Sequence, residues 1–301
     1  MGTVARRPSR RWHQDSTSGG WTTAPAQDAV AVEEPLEIRL VDGLGVTLPW
    51  AVVMRTPGHD VDLALGFCVG EGIVATGEEV LRCGLCTTGV VGVGRAADAL
   101  VERQSGESAV EVVLAPGVPL PDPVAARRTV TSSACGVCGA ATLEAVRARA
   151  RWDVAADPVT VDVAVLAELP GRLRARQKGF DRTGGLHAAG LVDLGRPGVP
   201  LVCVREDVGR HNAVDKVVGW AVQGGRLPLR GHALQVSGRA SFEIVQKAAV
   251  AGIPVVAAVS APSSLAVDLA RELGVTLAGF SRGDRLTVYA GAERMARGAR
   301  A

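Results

Sequence analysis

Apolar and polar residues alternate in three short stretches near the start of the chain. These stretches, EIRLV, PWAVVM and AVEVVL, predict strands of a half-buried sheet. The turn residues Asp42-Gly43 separate the first two. Residues 59–74 instead have apolar side chains at helical spacing, with an Asp close to the start that suits a helix N-terminus. The pattern predicts a small α+β domain over residues 35–118.

Strand and helix patterns alternate in the second half of the chain. HALQVSG, IPVVAAVS, VTLAGF and RLTVYA predict strands, and RASFEIVQKAAVAG and SSLAVDLARELG predict helices between the first three of them. Upstream, LVDLGRPGVPLVCVRED predicts two strands about a turn, and ATLEAVRARA and NAVDKVVGWAVQGG predict helices. Strand–helix–strand units form right-handed crossovers between parallel strands. We therefore expect an α/β domain with a mostly parallel sheet over residues 141–301.

Two segments have no clear periodicity. Residues 1–34 are rich in Ser, Thr, Arg, Gly and Ala, which predicts a disordered tail. Residues 119–140 contain three prolines and the sequence SSACGVCG, which predicts an exposed, mobile loop between the two domains.

Composition narrows the class of protein. Apolar residues make up 47% of the 301 residues and aromatic residues only 3%, so the core is expected to consist mainly of Val, Ala and Leu. The net charge of +2 gives no electrostatic sign of nucleic-acid or membrane-surface binding. The basic N-terminus lacks a following apolar segment, and no apolar run is long enough to span a bilayer. We expect a cytoplasmic protein.

The six cysteines include two CxxC pairs, Cys83/Cys86 and Cys135/Cys138. In a reducing compartment this spacing favours metal, redox or catalytic use over structural disulfides. The long gap between the pairs disfavours a shared zinc site, and the Pro-rich segment before Cys135 disfavours a thioredoxin-type motif. A persulfide carrier is the third interpretation, since Arg residues and a predicted helix start near Cys135 would favour its thiolate. The remaining two, Cys68 and Cys203, have apolar neighbours and are expected to be buried.

Polar residues follow three predicted strands that end at one sheet edge. Ser237-Gly238 and Ser260 each precede a predicted helix, whose backbone N–H groups bind anions readily. The turn FSRGDR follows the next strand. Its two arginines suit phosphate, and its aspartate suits the hydrogen-bonding edge of guanine. The alternative interpretation is that the serines only cap the following helices and that FSRGDR is an ordinary charged turn between strands. Together the three elements favour a nucleotide or pyrophosphate ligand.

The densest polar cluster, REDVGRHNAVDK, has eight hydrogen-bonding side chains within twelve positions, which favours a binding site. A second segment, TGGLHAAGL, contains His187 after two glycines. A single histidine of this kind is also common as a structural residue.

Six segments taken together resemble the formate dehydrogenase accessory sulfurtransferases, the FdhD family, over about residues 35–295. They are TPGHDVDLALGF, SSACGVCG, TGGLHAAGL, REDVGRHNAVDKVVG, SGRASFEIVQKAAVAGIPVV and GFSRGDRL. The resemblance implies a larger domain with a cytidine-deaminase-like fold. Deaminase chemistry itself is not expected, because His187 is followed by two alanines and no Pro precedes Cys135, whereas zinc deaminases need H-x-E and P-C-x-x-C.

The resemblance also implies a function. Family members take persulfide sulfur from a cysteine desulfurase and transfer it to the molybdenum or tungsten bis(molybdopterin guanine dinucleotide) cofactor of formate dehydrogenase. They act as homodimers without a permanently bound metal. Carried over by motif, Cys135 would hold the persulfide and Cys138 would assist. The cofactor-binding residues would be Phe280, Ser281, Arg282, Gly283, Asp284 and Arg285, with further candidates at Ser237, Arg239, Ser260, His187, Arg210, His211 and Asn212.

The pair Cys83/Cys86 is not part of the family motif, so its role stays open. The alternative function is a zinc-bearing regulator that binds guanine nucleotides without turnover.

Overall fold

The computed structural model describes residues 2–86, 90–92, 108–122, 130–131, 146 and 149–296. Its strands are β1 (Val4–Gln14), β2 (Trp21–Ala31), β3 (Glu34–Val41), β4 (Thr47–Arg55), β5 (Val80–Leu85), β6 (Val90–Gly92), β7 (Ala109–Leu114), β8 (Val130–Thr131), β9 (Val161–Asp162), β10 (His187–Asp193), β11 (Leu201–Asp207), β12 (His232–Val236), β13 (Val255–Ala258), β14 (Thr276–Arg282), β15 (Arg285–Ala290) and β16 (Met295–Ala296). Its helices are α1 (Asp60–Gly70), α2 (Val163–Arg174), α3 (Lys178–Thr183), α4 (Arg210–Gln223), α5 (Phe242–Val250) and α6 (Ser264–Leu273).

The first large sheet has the strand order β6-β5-β7-β3-β4-β8. Strands β3 and β4 pair antiparallel, as the alternating pattern predicts. Asp42 forms the turn between them, because its Oδ1 accepts hydrogen bonds from Leu44 N (2.9 Å) and Val46 N (2.8 Å). The short strand β8 pairs parallel to β4 at the edge of this sheet.

The second sheet has the order β11-β10-β12-β13-β14-β15 and confirms the α/β class. Only β12, β13 and β14 pair parallel, and the other three pairings are antiparallel. The expected mostly parallel sheet is therefore a mixed sheet. Short turns join β10 to β11 and β14 to β15 directly, and without a crossover helix neighbouring strands pair antiparallel. The carboxyl ends of the three parallel strands meet at one edge.

The prediction of a disordered tail over residues 1–34 is wrong. Strands β1 and β2 form a two-stranded antiparallel hairpin with eleven cross-strand pairs. Asp15 orders the connecting turn, because its carboxylate accepts hydrogen bonds from Thr17 N (2.8 Å) and Ser18 N (3.4 Å). This local side-chain-to-backbone bonding produces a turn where composition alone indicates disorder.

Helices α1 and α4 cross in close contact and join the two sheets. A Cβ added to Gly66 would lie 1.8 Å from Asp215 O, and one added to Gly219 would lie 1.7 Å from Asp62 O. The backbones can approach this closely only because both positions lack a side chain. One hydrophobic cluster therefore continues from Leu36 in β3 to Leu234 in β12, and it consists mainly of Val, Ala and Leu as expected.

A second, smaller cluster lies on the other face of the second sheet. There Leu166 and Leu169 of α2 pack against small and β-branched residues of the sheet, including Ala233 and Val255. No element is predicted from the sequence in this region, since Pro170 and the following glycine interrupt the helical pattern of α2. No helix within the described part of the chain is long and apolar enough to cross a membrane.

We predict that Gly66→Ala lowers the free energy of unfolding by about 3 kcal/mol, because the new methyl group forces two packed backbones apart. Urea unfolding measures this change as a lower midpoint. Gly171→Ala is the matched control, since Gly171 is also helical and a Cβ there meets no atom within 4 Å. We expect it to be neutral or to stabilise by up to about 1 kcal/mol. Equal effects of the two substitutions would contradict the importance of the close crossing.

Candidate functional site

A cavity of about 700 Å³ opens at the carboxyl edge of the second sheet. Five residues predicted from the sequence line it: His187, Ser237, Ser281, Arg282 and Gly283. The other wall comes from α2, α3 and the following loop, through Pro170, Gly171, Leu173, Arg174, Gln177, Phe180, Gly184, Gly185 and Leu186, together with Val259 from the loop after β13. The motif TGGLHAAGL contains Gly184, Gly185 and Leu186 of this wall, but no pattern in the sequence indicates the part that comes from α2 and α3. The cavity is therefore wider than the predicted set of residues.

The remaining residues of the FSRGDR turn lie elsewhere. Asp284 and Arg285 line a second cavity of about 640 Å³, together with apolar residues of α2 and β15 such as Val163 and Leu286. Gly283 has φ 51°, a left-handed conformation that suits glycine and reverses the chain between β14 and β15. The turn thus divides its two arginines between two cavities.

Phe280 has an unusual backbone conformation at the end of β14. Its φ is 50°, which is rare for an aromatic residue, and its side chain is 41% exposed. Pairing with β15 is irregular between Gly279 and Arg282. The carbonyl oxygen of Ser260 accepts a hydrogen bond from Phe280 N (3.3 Å) and joins this bulge to the loop after β13. Strain of this kind persists mainly at functional sites.

A cluster of three basic side chains lies beside the main cavity. A Cβ added to Gly238 would lie 3.4 Å from His187 Nδ1 and 4.0 Å from Arg210 Cδ, so this glycine leaves room for both side chains. His211 Nε2 is 2.9 Å from Ser241 Oγ and 2.9 Å from Glu243 Oε2. Arg210 Nε is buried and has no hydrogen-bond partner within the described chain. A buried donor without a partner is costly, which indicates a place for an anion.

The charged groups of this cluster shift one another's pKa values. Burial lowers the pKa of His187, and the positive charges of Arg210 and His211 lower it further. Burial raises the pKa of Glu243, but the hydrogen bond and charge of His211 outweigh burial and keep it below its ordinary value. Glu243 is a functional candidate that the sequence patterns do not single out, since a Glu in the first turn of a helix is common.

Other members of the polar cluster over residues 205–219 have structural roles. The fully buried carboxylate of Asp207 accepts hydrogen bonds from Gly209 N (2.8 Å) and Thr56 N (3.1 Å), and Lys216 Nζ lies 2.6 Å from it. Asn212, a predicted cofactor-binding candidate, donates its amide hydrogens to Asp207 Oδ1 (2.9 Å) and Met54 O (2.8 Å). These bonds attach the start of α4 to the end of β4.

Two further ion pairs account for most of the other charges in the cluster. Arg205 pairs with Asp62 of α1 at 2.8 Å, and Asp215 pairs with Lys247 of α5 at 2.7 Å. Glu206 accepts hydrogen bonds from Gly179 N and Phe180 N of α3 (2.8 Å each), and His211 lies against Glu243. Among the charged members of the cluster, Arg210 is the one whose side chain has a buried nitrogen, Nε, without a hydrogen-bond partner in the described chain.

The structure describes four of the six cysteines, all as free thiols. Cys68 and Cys203 are buried, as expected from their apolar neighbours. Cys83 is also buried, whereas Cys86 is half-buried at the end of β5. Cys83 lies within β5 and Cys86 is the residue directly after it, and no third metal-ligating side chain within the described residues joins them in a group that could hold a metal ion. Burial raises the pKa of both thiols, which disfavours the thiolates that bind metals.

The second CxxC pair, Cys135 and Cys138, lies outside the described residues. The strand that precedes it is described: Thr131 of β8 pairs with Val53 of β4 in a parallel arrangement. The chain in β8 therefore runs toward the end of β4, where Thr56 contacts Asp207. Among the side chains that the structure describes, no group of three or more His, Cys, Asp or Glu residues could hold a metal ion.

Comparison with known proteins identifies the family. The family model described as FdhD/NarQ family matches residues 31–296. The chain belongs to this family. The FdhD/NarQ match covers both sheets and every polar motif described above, and it begins at the base of the β1–β2 hairpin.

Relatives and a solved structure agree with the FdhD/NarQ family. A sulfur carrier protein FdhD from Streptomyces coelicolor is 53% identical over 279 residues, which cover 92% of each chain. Sulfur carrier proteins FdhD from Streptomyces avermitilis (52% identity, 92% of each chain) and Mycobacterium tuberculosis (51% identity, 89% of this chain and 92% of that one) are similarly close. The crystal structure of a protein from Desulfotalea psychrophila, described as a formate dehydrogenase accessory protein, has the same fold. Its TM-score is 0.66 at 24% identity, with 98% of this chain and 100% of that chain covered.

We predict that Arg210→Gln raises the pKa of His187, because it removes a neighbouring positive charge. Nuclear magnetic resonance titration of the histidine ring measures the shift. A pKa lowered by folding means that the native state binds fewer protons than the unfolded state, so stability decreases as pH falls below about 6.5. Arg210→Gln should reduce this loss of stability at low pH. Arg239→Gln, at an exposed arginine in the neighbouring loop, is the control. An equal shift of the His187 pKa in both variants would contradict the specific effect of Arg210 on His187.

Proposed function

We propose that this chain is a sulfur carrier that takes persulfide sulfur from a cysteine desulfurase. It transfers the sulfur to the molybdenum or tungsten bis(molybdopterin guanine dinucleotide) cofactor, which formate dehydrogenase needs for activity. The cofactor is the acceptor substrate. The observation that supports this most strongly is an anion-suited cavity at the carboxyl edge, beside an unpaired buried arginine donor. The close relatives, which are sulfur carrier proteins, support the same function.

The main cavity suits one guanine nucleotide end of the cofactor. A volume of about 700 Å³ is within the range typical of small-molecule sites. Arg282 at its rim would contact phosphate, and the exposed ring of Phe280 would stack on the guanine or pterin face. Asp284 would accept hydrogen bonds from the guanine edge, although it lines the neighbouring cavity. The guanine end would therefore span the Gly283 turn.

The basic cluster would bind the pyrophosphate. Arg210 Nε has no hydrogen-bond partner within the described chain and would donate to a phosphate oxygen. The N-termini of α4 and α5 add backbone N–H groups and a favourable dipole on the same side. Because the pKa of His187 is lowered, its ring is neutral near pH 7 and can donate one hydrogen bond and accept another.

The cysteine segment has a short path to this edge. Strand β8 ends at Thr131, paired beside Val53, and Cys135 follows four residues later. Four residues span at most about 14 Å, so the attachment of β8 limits how far Cys135 can be from the end of β4. The end of β4 is hydrogen-bonded to Asp207, three residues before Arg210. The sulfur would therefore meet the cofactor at its phosphate-bearing end or beyond.

The two cysteines supply the electrons for one release of sulfide, and a thiol reductant of the cell supplies them for each further turnover. The Cys135 thiolate attacks the sulfane sulfur of the desulfurase persulfide, the donor S–S bond breaks, and the desulfurase thiolate leaves. The Cys138 thiolate then attacks Cys135 Sγ, so that a Cys135–Cys138 disulfide forms and sulfur leaves as sulfide toward the cofactor metal. The two electrons that reduce the sulfane sulfur come from the two thiolates. Cellular reductants restore the dithiol.

The partners follow from this cycle. They are the cysteine desulfurase as donor and the catalytic subunit of formate dehydrogenase as recipient, both in the cytoplasm. A homodimer would allow each copy to hold one of the two guanine dinucleotide ends of the cofactor, since one cavity suits a single end.

We predict that Cys135→Ala abolishes sulfur loading, because it removes the nucleophile. After incubation with a cysteine desulfurase and cysteine, mass spectrometry of the 135–138 peptide should show one added sulfur atom in the wild type and none in the variant. Formate dehydrogenase activity should be lost in a strain that has only this variant. Retained activity would refute the assignment.

Cys138→Ala is the matched control, since it removes the neighbouring thiol and leaves the nucleophile. It should load sulfur normally and release it slowly.

Metal analysis of the same samples tests the alternative function: stoichiometric zinc bound by all four CxxC cysteines would favour the regulator.

We predict that Arg282→Ala weakens binding of GDP by about 1.5–3 kcal/mol, the contribution of a hydrogen bond to a charged group. Isothermal titration calorimetry measures the affinity. Arg285→Ala should have a smaller effect, because its side chain lines the second cavity. Unchanged affinity in Arg282→Ala would contradict a nucleotide in the main cavity.

A further inference from the structure

The β1–β2 hairpin is an arm that precedes the family match. Each strand has eleven residues, which at about 3.3 Å per residue gives a ribbon of about 36 Å. Most of its residues are exposed, and the arm contacts the rest of the described chain mainly through α3. The family model begins at residue 31, where the arm ends. An exposed two-stranded ribbon is only marginally stable alone, so a partner surface would stabilise it.

The two faces of the arm have different compositions. Directly paired residues of antiparallel strands share a face, and alternate residues along each strand do so too. From the register, one face, called here the Trp–Arg face, consists of Val4, Arg6, Pro8, Arg10, Trp12, Gln14, Trp21, Thr23, Pro25, Gln27, Ala29 and Ala31. This face has two arginines and no carboxylate. On the opposite face, Asp28 lies directly across from Arg7, so the charge there is partly balanced.

Two tryptophans dominate the tip of the Trp–Arg face. Trp12 is 58% exposed and Trp21 is 62% exposed. They are diagonal neighbours, since Trp12 pairs with Thr23 and Trp21 with Gln14, a spacing that large rings can bridge. Exposed tryptophan beside arginine is the composition of energetically dominant sites in protein–protein interfaces. Because this face has two arginines and no acidic residue, an acidic partner surface would complement it.

The base of the arm lies next to the main cavity. A Cβ added to Gly185, a cavity-lining residue, would be 3.7 Å from the Cβ of Ala31 at the end of β2. A protein that binds along the arm from its tip to its base would therefore reach the mouth of the cavity. In the proposed cycle the protein that must approach the cavity is the enzyme that receives the sulfurated cofactor.

We propose that the Trp–Arg face of the arm is a docking surface for an acidic surface of that recipient enzyme, the catalytic subunit of formate dehydrogenase. The proposal rests on the proposed function. The tryptophans would enter an apolar pocket, and Arg6 and Arg10 would pair with carboxylates around it. The arm would thereby bring the recipient over the cavity that holds the cofactor.

The test uses the full chain and purified apo-formate dehydrogenase catalytic subunit from the same organism, with affinity measured by biolayer interferometry at physiological salt. The double variant Trp12→Ala/Trp21→Ala should weaken binding roughly 30-fold, and Arg6→Glu/Arg10→Glu should weaken it at least as much. The matched control compares two single substitutions at neighbouring positions: Arg11→Glu, across from Ala24 on the opposite face, should change affinity by about threefold or less, whereas Arg10→Glu, across from Pro25 on the Trp–Arg face, should weaken it clearly. Circular dichroism checks that all variants are folded.

Three outcomes would overturn the proposal. The first is unchanged affinity for the recipient in both Trp–Arg face variants. The second is an equal loss of affinity in the control variant. The third is that the Trp–Arg face variants keep their affinity for the recipient but lose binding to the cysteine desulfurase or to a 20-base-pair DNA duplex. Sulfur loading of Cys135 from inorganic polysulfide, measured on every variant, separates this proposal from the proposed function. If loading succeeds and binding is unaffected by the variants, only the docking surface is wrong. If Cys135 is never loaded in the wild type, the carrier function fails.

Discussion

The buried carboxylate of Asp207 is the interaction on which the candidate site depends. A charge in the interior is tolerated only when it is paired and hydrogen-bonded, and Lys216, Thr56 N and Gly209 N meet that need. Removing one partner of such a pair costs about 3–5 kcal/mol. The same bonds attach the first turn of α4 to the end of β4. The positions of Arg210 and His211 in the first turn of α4 follow from this attachment.

The proposed function places a fixed anion site and a reactive sulfur on separate parts of the chain. The fixed part uses the carboxyl ends of three parallel strands and two helix N-termini, supported by a continuous core through the glycine crossing of α1 and α4. Rigid elements of this kind hold polar groups in place for binding. In the proposed cycle the reactive thiols are Cys135 and Cys138, which follow β8 in the sequence. This division would let one carrier meet a donor enzyme and a bound cofactor in turn.

The sequence predicts most of this fold and part of the site. Alternation and apolar runs of the right length locate β3, β4, β7, α1 and the elements from β10 to β15, because these segments bury many apolar side chains, on one face or, as in α1 and β13, all round. They fail for the β1–β2 hairpin, which has no buried face and depends on Asp15 in its turn. They also fail for α2, where Pro170 breaks the pattern. Charge density alone does not distinguish Asn212, which is hydrogen-bonded within the fold, from Arg210, whose Nε is unpaired.

One measurement tests most directly whether sulfur and nucleotide meet at the carboxyl edge of the second sheet: a crystal structure of the persulfidated chain with bound GDP. We expect GDP in the cavity lined by His187, Ser237 and Arg282, with its phosphates at Arg210, and the sulfane sulfur on Cys135 facing the same opening. GDP bound away from the carboxyl edge, or Cys135 buried on the opposite side of the molecule, would contradict the proposed delivery of sulfur.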